Sequence, residues 1–281
     1  MDAARPSRTA YRVAFRRATH QLFDARPLVL DDPIAVPILG AEARAELQAA
    51  EAEIHQPGNL ILRAWMVARS RYAEDCLAQA VAAGVRQYVL LGAGLDTFAH
   101  RHAHPQLRVF EVDHPATQAW KRQLVAAASL PQPTGLTYVP VNFECDSLET
   151  QLAAAGFDAA APAFFAWLGV VPYLTLEAFR ATLGFIAARP TGSGFVFDYT
   201  KPRAALSFRE RIALDLLMAR VARAGEPFQL FFTPAEMARE LAEFYNLEDL
   251  GSGEINSRYF ALRKDKLQCL GQSGRLVSAW L

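Results

Sequence analysis

One stretch constrains the fold of this chain more than any other: Gln87-Tyr-Val-Leu-Leu-Gly-Ala-Gly-Leu-Asp-Thr97. Tyr88 to Leu91 is a short apolar run that empties into Gly92 and Gly94, the pattern of a buried parallel strand ending in a tight glycine turn. Without a Cβ, such residues take positive φ freely and let a ligand approach the backbone. A second run, Leu107-Arg-Val-Phe-Glu-Val-Asp113, ends on a carboxylate 21 residues after Gly92. An acid at that place accepts hydrogen bonds from both hydroxyls of a ribose. A bare Gly-x-Gly is common in turns that hold nothing. The weight rests on the combination of strand, glycine turn, second strand and acid, within a chain that alternates strand-like and helix-like segments.

The choice of nucleoside turns on what is missing. A dinucleotide fingerprint wants a third glycine where Thr97 stands, to bring helix and strand close beneath a pyrophosphate. None of the eight tyrosines is followed four residues later by the lysine of a short-chain dehydrogenase. A nicotinamide cofactor is therefore the alternative. A site for S-adenosyl-L-methionine needs only room over the glycines and a carboxylate for the ribose.

Leu90-Leu-Gly-Ala-Gly-Leu-Asp-Thr97, Phe110-Glu-Val-Asp113 and Thr9-Ala-Tyr-Arg-Val-Ala-Phe-Arg-Arg-Ala18 together resemble the leucine carboxyl methyltransferase family. The likeness is to its bacterial S-adenosylmethionine-dependent branch, which includes methyltransferases of polyketide pathways. It runs from about Ser7 to the C-terminal end, and its narrowest part is Gly-Ala-Gly-Leu-Asp-Thr. The resemblance implies that Arg69, in Val67-Ala-Arg-Ser70, pairs with the carboxylate of the methionine moiety, which suits its planar fork of donors. It implies that Asn142 and Phe143 face the adenine, with an asparagine where the family usually has aspartate; the amide keeps an acceptor and loses the charge. Gly169 and Tyr173-Leu174 match the family, whereas Leu168 stands where many members carry a glutamate. Trp167 is a stacking candidate in its place, against the ordinary reading of an indole in the core. N-terminal helices closing over the site would bring Tyr11 or Arg12 to the substrate.

Composition narrows the field further. With 281 residues, 52% of them hydrophobic, the chain can bury a large core. A formal net charge of zero supplies no long-range pull toward nucleic acid or an anionic membrane. The longest apolar runs, such as 163–171, are too short to span a bilayer. Cys76, Cys145 and Cys269 are odd in number and far apart, which suggests neither a disulfide framework nor a zinc knuckle and fits a reducing cytoplasm. Arg5, Arg8, Arg12, Arg16 and Arg17 make the N-terminus basic, but no apolar signal core accompanies them, so they are read as part of the fold.

In chain order, Ser7 caps a helix to about Leu22, and Pro33 is suited to open another. Helices are expected over 41–54 and 59–83, the second ending at Gly84. Arg63 and Arg71 read as solvated charge upon it. Asp96 either contacts the ligand or caps the short helix after it. His100, His102 and His104 alternate like metal ligands, but the helix and Pro105 would scatter them. Further helices are expected over 115–129, 146–155, 175–188, 207–224 and 233–244, and strands over 136–141, 163–168, 194–199, 246–250 and 275–280. Asp198 and Tyr199, at a carboxyl strand end, are substrate-side candidates with Tyr11 and Tyr173.

The expected fold is α/β: a doubly wound, mostly parallel sheet of seven strands in the Rossmann-like class I methyltransferase arrangement, its last strand antiparallel. Residues 1–84 would form a helical lid and 85–281 the cofactor-binding core, with a helical cap insertion at 203–232. The expected activity is methyl transfer from S-adenosyl-L-methionine to an oxygen, carboxylate or acidic hydroxyl, of a small molecule, without a metal. A nicotinamide oxidoreductase and a cofactor-binding fold without catalysis are the alternatives.

Overall fold

The computed structural model describes residues 7–143, 146–223 and 225–281. Arg5, Cys145 and the expected helix end at Ala224 lie outside the described residues. In chain order the elements are α1 (Arg8–Phe23), α2 (Ala43–Ala49), α3 (Glu51–Ile54), α4 (Pro57–Ala82), β1 (Gln87–Leu91), β2 (Arg108–Asp113), α5 (Pro115–Ala127), β3 (Leu136–Pro140), α6 (Leu148–Ala154) and β4 (Ala163–Trp167). They continue with α7 (Leu176–Ala187), β5 (Gly194–Thr200), α8 (Phe208–Ala222), α9 (Pro234–Glu240), β6 (Tyr245–Leu250), α10 (Ser252–Tyr259) and β7 (Gly274–Trp280).

The seven strands form one sheet in the order β3-β2-β1-β4-β5-β7-β6, in which β7 alone runs opposite to the other six. Because side chains alternate along a strand, each strand feeds both faces. Tyr88 and Leu90 join one buried cluster with Ala64, Val67 and Leu77 of α4 and Ile255 of α10. Val89 and Leu91 join a second with Phe179 and Ile186 of α7 and Met237 of α9. Helices therefore cover both faces, as the continuous apolar reading of β1 and β4 requires. A third cluster joins Ala14 and Ala18 of α1 to Ile38, Leu39 and Leu47, and to Leu95 beyond the glycine turn.

Several expected elements differ. Pro33 sits in a turn rather than opening a helix, and a short 3-10 segment, Pro37–Leu39, follows it. The helix expected over 41–54 is two, interrupted at Ala50, whose ψ of 6° departs from helical values. The helix after Thr233 stops at Glu240, which lets Phe244 turn inward to pack edge-on against Phe195 with ring centroids 4.9 Å apart. The helix α10 was not expected at all.

Arg63 is a correction of chemistry as well as position. It is 1% exposed, and its Nε and Nη2 both donate to the Asp24 carboxylate at 2.8 Å while Nη1 donates to the Ile54 carbonyl. A charge on a helix that packs inward needs a partner, and the end of α1 supplies it. Arg71 pairs at the surface with Asp75. Cys76 and Cys269 are buried and free, and burial pushes their thiols up to about 11 and about 12.

Candidate active site

At the end of β1 the chain turns sharply, with φ of 69° at Gly92 and 52° at Gly94. The amides of Gly92 and Ala93 both donate to the carbonyl of Val112, and that of Gly94 donates to Asp113 Oδ2. Side chains would not fit there. A Cβ on Gly92 would lie 2.4 Å from Val170 Cγ2, and one on Gly94 3.1 Å from the Cβ of Ala10 on α1. The other oxygen of Asp113 accepts from the amide of His114 at 2.6 Å. Burial raises the Asp113 carboxyl above the usual range, against the opposing pull of these two amides and of Lys121.

This turn opens into a cavity of about 1170 Å³ at the carboxyl ends of the parallel strands, where the strand order reverses between β1 and β4. Arg69, Gly92, Gly94, Asp96, Asp113, Asn142, Phe143, Tyr173 and Asp198 all line it. Arg69 comes from α4, is 7% exposed, and donates through Nη1 to Asp198 Oδ2 at 2.9 Å. Its Nε is buried and has no hydrogen-bond partner. The amide of Gly169 donates to the other Asp198 oxygen. Asn142 and Asp146 are held together by reciprocal amide bonds, each 2.8 Å. For Tyr173, burial first and then Glu226 push the phenol up to about 12, so at neutral pH it is a proton donor.

Three expected site residues stand elsewhere. Trp167 is buried on the opposite face of the sheet, stacked on Phe179 at 5.5 Å, while the next residue, Leu168, lines the cavity. Tyr199 shares that face and donates its hydroxyl to Asp249. Tyr11 turns outward from α1 to donate to Glu46 and pack near Trp120, whereas its neighbour Arg12 lines the cavity. Of the three alternating histidines only His100 stands apart, against the Pro131 carbonyl; His102 stacks on Phe98 at 4.9 Å and on His104 at 6.0 Å, and its Nδ1 accepts from the His104 amide. Among the described residues no cluster of His, Cys, Asp or Glu has the spacing to hold a metal ion.

The most consequential residue that sequence reasoning passed over is Arg17. Buried at 3% exposure, it donates to Asp96 Oδ2 at 3.0 Å and to the Leu95 carbonyl, and lies 3.5 Å from Asp32. Asp96 in turn accepts from the Phe98 amide, two residues on, and also faces the cavity, while the N-cap of the short 3-10 turn that follows is Thr97. Burial pushes the Asp96 carboxyl up, but Arg17 and Arg101 hold it below the usual range. The signal for Arg17 was its place in the Thr9–Ala18 segment.

Known proteins resemble this chain in sequence and in fold. The family profile described as leucine carboxyl methyltransferase matches residues 10–187, from α1 through the turn to α7. The chain is 32% identical over 279 residues to the Bacillus subtilis protein named "Putative S-adenosyl-L-methionine-dependent methyltransferase YktD", covering 90% of this chain and 91% of that one. It is 31% identical over 297 residues to a Saccharopolyspora erythraea protein of the same designation, covering 96% and 94%. Among solved structures, a "putative methyltransferase" from Thermobifida fusca superposes with a TM-score of 0.59 at 20% identity, covering 99% of this chain and 96% of that one, which speaks for the fold. With more than half of its length matched by the profile and two relatives aligned nearly end to end, the chain belongs to the leucine carboxyl methyltransferase family.

Proposed function

We propose that this protein transfers a methyl group from S-adenosyl-L-methionine to an oxygen of a small molecule, a carboxylate or an acidic hydroxyl. The observation that carries the choice of cofactor is the hydrogen bonding of the turn. A pyrophosphate would need free backbone N–H groups there, yet Gly92, Ala93 and Gly94 spend theirs on Val112 and Asp113. The carboxylate beside the glycines suits ribose hydroxyls and repels phosphate. Asp113 would hold the ribose, Asn142 and Phe143 the adenine, and the Arg69 fork, with its Nε still unpaired, the methionine carboxylate. Both named homologues bear S-adenosylmethionine-dependent methyltransferase designations, which supports the same donor.

When bound, the cofactor supplies an electrophilic methyl group on a sulfonium. The chain's contribution is alignment and exclusion of water, worth several kcal/mol at the reacting centre. No histidine lines the cavity except His114 beside the ribose acid, and Tyr173 is a donor at neutral pH. That argues for an acceptor already ionised: a carboxylate, of pKa about 4, needs no proton removed. Residues 1–84 act in this reading as a lid, since α1 lies against the turn.

Calorimetric titration with S-adenosylmethionine, S-adenosylhomocysteine and NAD tests the cofactor; tight binding of NAD alone would overturn it. For the acceptor, kcat from about pH 6 to 9 is expected to be nearly flat. A tenfold rise per pH unit, abolished by replacing His114 or Asp198, would mean a hydroxyl acceptor and a general base.

A further inference from the structure

The arginines of the cavity are not all matched by a carboxylate beside them. Two of its arginines are matched: Arg17 to Asp96 at 3.0 Å, and Arg69 to Asp198 at 2.9 Å. Three others are not. Arg12 and Arg16 on α1 and Arg220 on α8 all line the cavity, and among the described residues none of them lies within 4.0 Å of a carboxylate. Arg16 is half-buried; one Nη donates to the Arg12 carbonyl at 3.1 Å, and its Nε is buried without a partner. Its charged neighbours are cations. Burial, then Arg220, Arg12, Arg63 and Arg69, pull the Arg16 guanidinium down to about 10. Besides Asp96 and Asp198, the acids that line the cavity are Asp113, Glu177 and Glu226; Asp113 accepts from the amides of Gly94 and His114, and Glu226 bears on Tyr173. Ile61, Trp65 and Met66 of α4 and Leu217 and Val221 of α8 add apolar lining to the same cavity.

A cluster of like charges taken partly out of water is costly unless an anion arrives to match it. The reacting carboxylate is a poor candidate for that anion. Its charge disappears as the O–C bond forms and the sulfur takes the electron pair of the breaking S–C bond, so guanidiniums clasping it would favour the ground state over the transition state. A group whose charge survives the reaction carries no such penalty.

We propose that the acceptor carries a second anionic group, separated by an apolar body from the oxygen that is methylated, and that Arg12 and Arg16, with Arg220 at the rim, hold it. This rests on the methyl-transfer reading above. The acceptor class is accordingly an apolar diacid, and the clamp selects it over the corresponding monoacid.

The test is calorimetric titration of protein saturated with S-adenosylhomocysteine, using adipate and suberate beside hexanoate and octanoate. At least one dicarboxylate is expected to bind about tenfold more tightly than its equal-length monocarboxylate. Arg12→Gln/Arg16→Gln should erase that advantage while leaving affinity for S-adenosylhomocysteine within about threefold. Arg220→Gln, at an exposed position that cannot disturb the core, should remove part of it. No dicarboxylate advantage in the parent, or an advantage that survives in both variants, overturns the clamp. Equal affinity for monoacid and diacid, lost together in the double variant, would make these arginines the seat of the reacting carboxylate and also overturns it. Absence of S-adenosylhomocysteine binding in the parent sinks the methyl-transfer reading itself, and the clamp with it.

Discussion

Asp113 holds the turn, accepting from two backbone amides, and also lines the cavity, where the proposed reading gives it the ribose. A hydrogen bond to a charged acceptor is worth about 1.5–3 kcal/mol, so Asp113→Ala should weaken S-adenosylmethionine binding by roughly tenfold to several hundredfold in a titration. A loss below threefold in a folded variant would remove it from the site. Gly169 fails differently. With φ at 69° and both Arg69 Nη atoms 2.8 Å from where its Cβ would stand, Gly169→Ala should push the guanidinium aside and cost about tenfold or more in cofactor affinity; unchanged affinity would show that Arg69 does not grip the ligand. At this scale the sequence was legible where a special conformation was demanded, as at Gly92 and Gly94. It was less so where parity decided. Asp198 and Tyr199 are consecutive on a strand and point to opposite faces, so only one of them could meet the ligand. In 163–167 all five residues are apolar, and nothing in the pattern said which way Trp167 pointed.

At the scale of elements, α1 is held to α4 by the buried pair of Arg63 and Asp24. Removing one partner of such a pair leaves a buried charge, so Arg63→Ala should cost about 3–5 kcal/mol of stability in denaturant unfolding, against about 1 kcal/mol or less for Arg71→Ala at its exposed pair. The pH dependence has a definite sign. Burial pushes the Asp24 carboxyl up, but His20 and Arg63 outweigh it and the folded pKa lies below the ordinary 3.8. The contribution is therefore complete above that unfolded value and lost as pH falls through the lower folded one. In Arg63→Ala the acid limb of the stability curve should flatten, and a limb identical to the parent's would discount the pair. The buried strands were legible to within a residue or two because apolar runs such as 88–91, 163–167 and 194–197 leave little choice. Arg63 was misread because a long helix buried along much of its length has no clean polar face to betray an inward charge.

For the whole molecule, anything that binds the native state alone stabilises all of it. S-adenosylhomocysteine at a hundred times its Kd should add about 2.7 kcal/mol to unfolding, NAD at equal concentration nothing, and Asp113→Ala should lose most of the gain; equal shifts with both compounds would argue against a site selective for the methyl donor. The order of the sheet has a further consequence, which belongs to synthesis. β7 lies between β5 and β6 and pairs with both. While the ribosome is still making residues 251–273, β6 is complete yet has no neighbour to join, and one edge of β5 lies bare, the kind of edge that recruits other chains. Domains fold as segments emerge, at about 5–20 residues per second, so this interval lasts on the order of seconds. Vulnerability to aggregation should therefore peak in chains that end just before Gly274, and the arrival of 274–280 closes both edges in one step.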